Sequence, residues 1–195
     1  TTYPILSENI SCDVAVIGGG FSGVNTALEL AERGFHVVIL EANRIGWGAT
    51  GRNGGQIIGG IGHTPERFRR AIGESGIRAI YQMGIEARDI INDRVKTYGI
   101  NCDLKWGYCD VALKTKHMEL FREWKEFERE IGNPHTYTLL DKQELKEFVD
   151  SDRYVGGLHN TSNGHIHPLN LCIGEAEVVT KFGGEIYEQS GVFNL

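Results

Sequence analysis

The chain has 195 residues, 41% of them hydrophobic and 24% charged, which is enough apolar material to bury a core and is ordinary for a globular protein. Its formal charge of −6 offers no basic face to nucleic acid or an anionic membrane surface, and no apolar run approaches the ~20 residues that span a bilayer. No signal-peptide pattern opens the chain, so a cytoplasmic location is the default expectation, and the four cysteines are scattered without a C-x-x-C.

Thr1 to Ser11 reads as a short lead-in, and the missing initiator Met as processing or a cut boundary. Cys12 to Ile17 is a β-branched apolar run that enters Gly18-Gly19-Gly20-Phe21-Ser22-Gly23, a G-x-G-x-x-G turn. Val24, Ala27, Leu28 and Ala31 then recur at helical spacing, Gly34 stops the helix, and His36 to Leu40 is a second strand of buried type ending on Glu41. The order strand, glycine turn, helix, strand and acid predicts a Rossmann-like βαβ unit for an adenosine dinucleotide. Gly18 permits the tight turn, Gly20 lets the backbone approach a pyrophosphate, and Gly23 lets helix and strand pack closely. The helix N-terminus at Phe21 and Ser22 favours the negative charge. Glu41 lies near the ~20-residue spacing of an acid that accepts a ribose hydroxyl, which disfavours a 2′-phosphorylated dinucleotide.

Ala42 to Gln56 does not enter another crossover helix. It is dense in glycine and suits close approach to an extended ligand. Most of the excess among the 26 glycines sits between Gly18 and Gly62. Thr64-Pro65 predicts a helix start, and residues 65–98 two helices broken near Gly73, with Ile77, Ile80, Tyr81, Gly84, Ala87, Ile91 and Val95 as the core stripe. Residues 102–113 have strand character with a bend at Gly107. Thr115 is expected to cap a helix whose Leu120, Trp124, Phe127 and Ile131 align while its charged residues stay solvated. Residues 136–140 and 154–158 are strand candidates, and Asp141 with Glu144 forms a capping box for residues 142–148. Residues 171–182 are helical, Gly183-Gly184 ends that helix, 185–188 is a strand, and Val192 opens another.

Other reactive types are weaker signals. His165 and His167 form an H-x-H pair with no third or fourth ligand at a metal-binding spacing, so they stand as structural or pocket histidines, not as a metal site. Cys12 and Cys172 fall inside apolar patterns and are expected in the core.

Three segments together carry a resemblance: Val16 to Gly23, Leu40-Glu41-Ala42, and Gly48-Ala49-Thr50-Gly51-Arg52-Asn53-Gly54-Gly55-Gln56. They resemble the FAD-dependent amine and amino-acid oxidoreductases, the relatives of D-amino-acid oxidase, glycine oxidase and sarcosine oxidase. The Ala-Thr-Gly-Arg-Asn-Gly-Gly-Gln form is most similar to the γ-glutamylputrescine oxidoreductase branch. The resemblance implies that Ala49, Thr50, Arg52 and Asn53 run along the pyrophosphate and ribityl chain, and that Gly54, Gly55 and Gln56 approach the flavin ring. It also matches Gly164 to Pro168 and Val192, whose backbone would meet the adenine.

The implied fold is α/β, an FAD-binding domain formed by 1–58 and 152–195 with an inserted α+β substrate-domain portion at 59–151. Only about the first half of the family pattern is covered, the C-terminal half being absent. The implied reaction oxidises an amine to an imine and then an aldehyde, with hydrogen peroxide as co-product. γ-Glutamylputrescine is the implied substrate, and sarcosine, glycine or another amino acid the rivals. An NAD-dependent dehydrogenase, in which Arg52 to Gln56 would have no role, and a non-catalytic dinucleotide-binding fragment remain alternatives. No catalytic acid or base and no covalent flavin attachment point is identified.

Overall fold

The computed structural model describes residues 2–59 and 65–194, with the side chains of all of these except Pro65 and Glu66. Thr64, the expected helix cap, and the neighbouring Gly62 and His63 lie outside the described residues, as do Thr1 and Leu195. In chain order the elements are β1 (Val14–Ile17), α1 (Phe21–Glu32), β2 (Val37–Leu40), β3 (Gln56–Ile57), α2 (Arg69–Tyr98), β4 (Lys105–Ala112), α3 (Thr115–Glu130), β5 (Tyr137–Asp141), β6 (Gly156–His165), α4 (Pro168–Lys181) and β7 (Glu185–Tyr187). Single 3-10 turns lie at Ala49–Gly51, Pro65–Phe68 and Glu144–Glu147. Two compact units divide the chain: Thr1–Gly55 with Asp93–Leu104 and Ile166–Leu195, and Gln56–Asn92 with Lys105–His165.

The first unit is built on a parallel sheet in the order β1-β2-β7. Parallel strands need crossovers, and α1 supplies the one between β1 and β2. Its Val24, Ala27, Leu28 and Ala31 are all buried, as their spacing predicts, and the first three pack with Val37, Ile39, Ile45, Ile186 and the α4 residues Cys172, Ala176 and Val179 into one core. Each large aliphatic side chain buried there contributes about 1.5–3 kcal/mol. The helix ends on a Schellman motif: Gly34, at φ +85°, donates to the Ala31 carbonyl at 3.0 Å and Phe35 to the Leu30 carbonyl at 3.1 Å. Cys172 is fully buried, whereas Cys12 is half-buried, because β1 exposes alternate positions and the chain before Val14 is outside the ladder.

The expected strand at Val192 does not form. After β7 the chain turns at Gln189, whose φ of +52° leaves the extended region. The amides of Gln189 and Ser190 then bond loop carbonyls, those of Asn43 and Glu41 at 3.0 and 2.9 Å, and start no new ladder.

In the second unit β6 is the central strand, antiparallel to β3, β4 and β5. It runs on through Asn160, Thr161, Ser162 and Asn163, well past the expected 154–158, because neighbours on both sides satisfy its backbone. The β4 register shifts between Trp106 and Tyr108, where Gly107 at φ +117° makes the anticipated bend. α2 breaks at Gly73, which has non-helical φ 66° and ψ −177°.

The expected α2 stripe holds at Ile77 and Gly84, with Ile80, Tyr81 and Ile91 half-buried, and fails at Ala87, whereas the α3 stripe is turned toward solvent. Along the part of α2 in this unit Ile77, Gly84, Ile85 and Arg88 are buried and Ala87 is exposed. On α3 Leu120 and Trp124 are 58% and 50% exposed while Glu128 is buried, its carboxylate accepting the Asn133 side-chain amide at 2.7 Å. The helix starts after Lys114 rather than on a Thr115 cap. The capping box is reciprocal: the Asp141 amide donates to Glu144 Oε2 at 2.8 Å and the Glu144 amide to Asp141 Oδ1 at 2.9 Å, heading a single 3-10 turn.

Candidate functional site

The glycine turn between β1 and α1 is fixed from both ends. The Gly18 amide extends the sheet to the Leu40 carbonyl at 2.9 Å, and its φ of +101° is a conformation L side chains rarely adopt. A Cβ on Gly23 would stand 1.9 Å from the Gly18 carbonyl oxygen, so the helix packs against the turn only with glycine there. Gly20 is the N-cap of α1, and no side chain caps the helix from that position. Instead the Phe21 amide donates to Thr50 Oγ1 at 3.0 Å, which ties the distant Ala49–Gly51 turn to the first turn of α1. Ser22 and Gly23 complete that turn, where aligned amides concentrate partial positive charge.

Glu41 leaves the end of β2 and folds back onto the glycines. Its Oε2 accepts the Gly19 amide at 2.6 Å and its Oε1 the Asn43 amide at 2.7 Å. A carboxylate has about four acceptor positions, so this leaves capacity for the two hydroxyls of a ribose. Ala42, Gly48 and Ala49 are exposed beside it in the chain.

The segment after Ala49 is held by its own side chains. Arg52 lies over the Trp47 ring, 4.9 Å from its centroid, and its Nε donates to the Trp47 carbonyl at 2.7 Å. The Asn53 side-chain amide donates to the carbonyls of Ala49 and Thr50 at 3.1 and 2.8 Å, and its Oδ1 accepts the Gly55 amide at 2.8 Å. Gly55, at φ +69°, lies so near the Ile166 carbonyl that a Cβ would approach it to 2.1 Å. Gly54 has open space around it. A cavity of about 350 Å³ borders this segment, lined by Arg44, Trp47, Arg52, Tyr3, Leu169 and Glu188 among others.

The remaining candidates separate. Gln56 opens β3 in the second unit and is paired in register with His165. His167 caps α4, its Nδ1 accepting the Asn170 amide at 3.3 Å, which gives the second histidine of the pair a structural task. Among the described residues no group of His, Cys, Asp or Glu could hold a metal ion. No helix in the described residues is long and apolar enough to cross a membrane. Val192 is half-buried in the segment that follows Ser190.

Residues 13–195 match the family described as DAO, FAD dependent oxidoreductase. The chain belongs to that family. It is 44% identical over 193 residues to the gamma-glutamylputrescine oxidoreductase of Escherichia coli (strain K12), covering 99% of this chain and 45% of that protein. A probable oxidoreductase, OrdL, of Haemophilus influenzae is 41% identical over 194 residues, again covering 99% of this chain and 45% of the relative. Glycine oxidase from Bacillus cereus shares the fold at a TM-score of 0.70 and 24% identity, with 95% of this chain and 48% of that chain covered. The chain therefore spans about half the length of the relatives it matches.

FAD is the cofactor of this DAO family, and the residues present fit its adenosine and pyrophosphate portion. The turn bars a Cβ at Gly23, Thr50 stands in for a missing helix cap, and an acid sits at the end of β2. Two further residues of the site escaped the motif reading. Gly19 is buried, and a Cβ there would reach Ile45 Cδ1 at 2.5 Å and Glu41 at 3.2 Å. Gly46, at φ +71°, donates its amide to the Gly19 carbonyl at 2.8 Å. The signal for Gly19 was a glycine at the middle of Gly18-Gly19-Gly20, a position the motif leaves unspecified.

Proposed function

We propose that this chain is the nucleotide-binding portion of an FAD-dependent amine oxidoreductase, with γ-glutamylputrescine as substrate and oxygen as the final acceptor. The first compact unit is the cofactor domain and the second the inserted substrate-domain portion. The observation that carries the reading is the bond from the Phe21 amide to Thr50 Oγ1. It brings the Ala49-to-Gly55 segment to the α1 N-terminus, an arrangement that an NAD site built on the first βαβ unit would not need. The 44% identity to an enzyme named for γ-glutamylputrescine supports the substrate.

Bound there, FAD supplies a two-electron acceptor for oxidation of the amine C–N bond. The residues of the chain bind and orient. The α1 N-terminus would hold the pyrophosphate charge, Glu41 would accept from ribose hydroxyls, Arg52 would lie along the pyrophosphate and ribityl portion, and Gly54, Gly55 and Gln56 would border the ring end. Val192 would meet the adenine through its backbone. The overall stoichiometry takes amine, oxygen and water to aldehyde, ammonia and hydrogen peroxide.

The test is a titration of the purified chain with FAD, followed by visible absorbance and flavin fluorescence, and then by a peroxide assay on the full-length enzyme with γ-glutamylputrescine, sarcosine and glycine. A flavin spectrum that shifts on binding and peroxide formation from γ-glutamylputrescine alone are expected. Saturable binding of NAD in place of FAD overturns the cofactor, and preference for sarcosine or glycine overturns the substrate.

A further inference from the structure

Glu188 follows β7 and is 4% exposed, a charged side chain in a position where an unpaired carboxylate would be costly. It is partnered by main chain on two sides. Its Oε1 accepts the Ile45 amide at 2.8 Å and its Oε2 the Tyr3 amide at 3.2 Å. The Glu188 amide in turn donates to the Pro4 carbonyl at 3.0 Å, and its carbonyl accepts from Ser190 Oγ at 2.9 Å. Ser190 Oγ accepts the Leu6 amide at 2.9 Å. The amides of Gln189 and Ser190 reach back to the carbonyls of Asn43 and Glu41.

Residues 188–190 are thus stitched to an N-terminal strap, Tyr3 to Leu6, on one side and to the loop 41–45 on the other. That loop carries Glu41, whose carboxylate grips Gly19, and it continues into Gly46, whose amide bonds the Gly19 carbonyl. Ile45 itself packs on Gly19. No other side chain bonds both the strap and the loop among the hydrogen bonds of the described residues. The Tyr3 ring packs against the core while its hydroxyl is buried without a partner, so the side-chain hydrogen bonds that hold the strap come from Glu188 and Ser190.

We propose that Glu188, braced by the Tyr3–Leu6 strap, is the positioning residue that sets the 41–46 loop against the glycine turn and thereby shapes the adenosine end of the cofactor site. The cofactor consequence rests on the FAD reading, while the loop consequence does not. Glu188 touches no reacting atom. It acts through Ile45 and, beyond it, through Gly19 and Glu41.

The experiment compares the full chain with Glu188→Ala, Glu188→Gln and Ser190→Ala. Val179→Ala serves as a core control that lowers stability while leaving the hydrogen bonds of Glu188 and Ser190 in place. Amide hydrogen exchange at Ile45 and Gly46 is measured without cofactor, and the FAD dissociation constant by flavin fluorescence. Loss of both carboxylate acceptors in Glu188→Ala is expected to speed exchange at Ile45 and Gly46 and raise the FAD Kd, each about tenfold. Glu188→Gln keeps one carbonyl acceptor and is expected to recover most of that change, while Ser190→Ala gives a change of about threefold.

Unchanged exchange at Ile45 and Gly46 in Glu188→Ala overturns the proposal. So does faster exchange with an unaltered FAD Kd, or an equal effect from Val179→Ala. If the unaltered chain binds NAD in place of FAD, the cofactor reading fails on its own, and the exchange comparison, made without cofactor, still decides the role of Glu188.

Discussion

Arg94, on the last turns of α2, places its guanidinium 3.4 Å from the carboxylate of Glu175, which is 1% exposed in the middle of α4. The Asn25 side chain of α1 joins them, donating to Glu175 Oε2 at 3.0 Å and accepting from Arg94. Three helical segments of the first unit therefore meet at one buried polar knot. Removing one partner of such a pair strands the other charge, so Arg94→Met is expected to cost about 3–5 kcal/mol in urea denaturation. Arg94→Met with Glu175→Met should cost far less, and equal costs would show that the pair is not coupled.

The same knot has a pH signature. Burial raises the Glu175 carboxyl above its ordinary value, against the opposing pull of Arg94 and the Asn25 bond. An acid whose folded pKa is raised favours the fold at low pH, and that contribution is lost as pH rises through the folded value. The destabilisation by Arg94→Met should therefore shrink as pH falls from neutrality toward the ordinary carboxyl range, because a protonated Glu175 needs no cation. Denaturation midpoints of both proteins across that range check the sign.

Two glycines of the site should separate fold from binding. Gly23→Ala forces a Cβ into the Gly18 carbonyl and is expected to cost roughly 1–3 kcal/mol together with FAD affinity. Gly54→Ala enters open space, so its stability should stay within about 0.5 kcal/mol of the parent while FAD binding weakens. Thermal melts beside FAD titrations distinguish them.

Thr50 serves as the helix cap that Gly20 cannot be. Thr50→Val removes the acceptor of the Phe21 amide and should cost about 1 kcal/mol, with Thr50→Ser restoring most of it. Chemical denaturation of the three proteins is sufficient. Equal stability of all three would show that the cap is replaced by water.

Burial pushes the Cys172 thiol up to about 12, and Cys172 and Cys102 are both essentially inaccessible. Alkylation of the native protein at about pH 8 should label Cys12 and Cys109 first and leave Cys172 unmodified until the chain unfolds. Peptide mass mapping over time reads the order directly.

Local patterns in the sequence carried much of this fold. The α1 core positions, the Gly34 stop, the break at Gly73, the bend at Gly107 and the Asp141–Glu144 box each depend on residues a few positions apart, and all are found where the pattern puts them. What failed depends on distant partners. Leu120 and Trp124 keep helical spacing yet face solvent, because Asn133 can satisfy Glu128 inside and the helix turns that face inward. Polar Asn160 to Asn163 lacks alternation but becomes the centre of a sheet once β4 and β5 flank it. In the site, the glycine turn and Glu41 were legible from spacing alone. Gly46 and Glu188 were not, since their roles exist only when residues remote in the chain meet them.

The pairing of β2 with β7 also shapes the life of the nascent chain. Leu40 lies opposite Tyr187, so the outer edge of β2 has no partner until about 150 further residues have been made, a strongly non-local closure. At translation rates of about 5–20 residues per second, that edge waits roughly 7–30 seconds. Val37 to Leu40 is a run of four large aliphatic residues, so during that interval the ribosome displays an unpaired, sticky strand. The edge of β2 is therefore the part of this sheet most open to pairing with the wrong strand while the chain is being made.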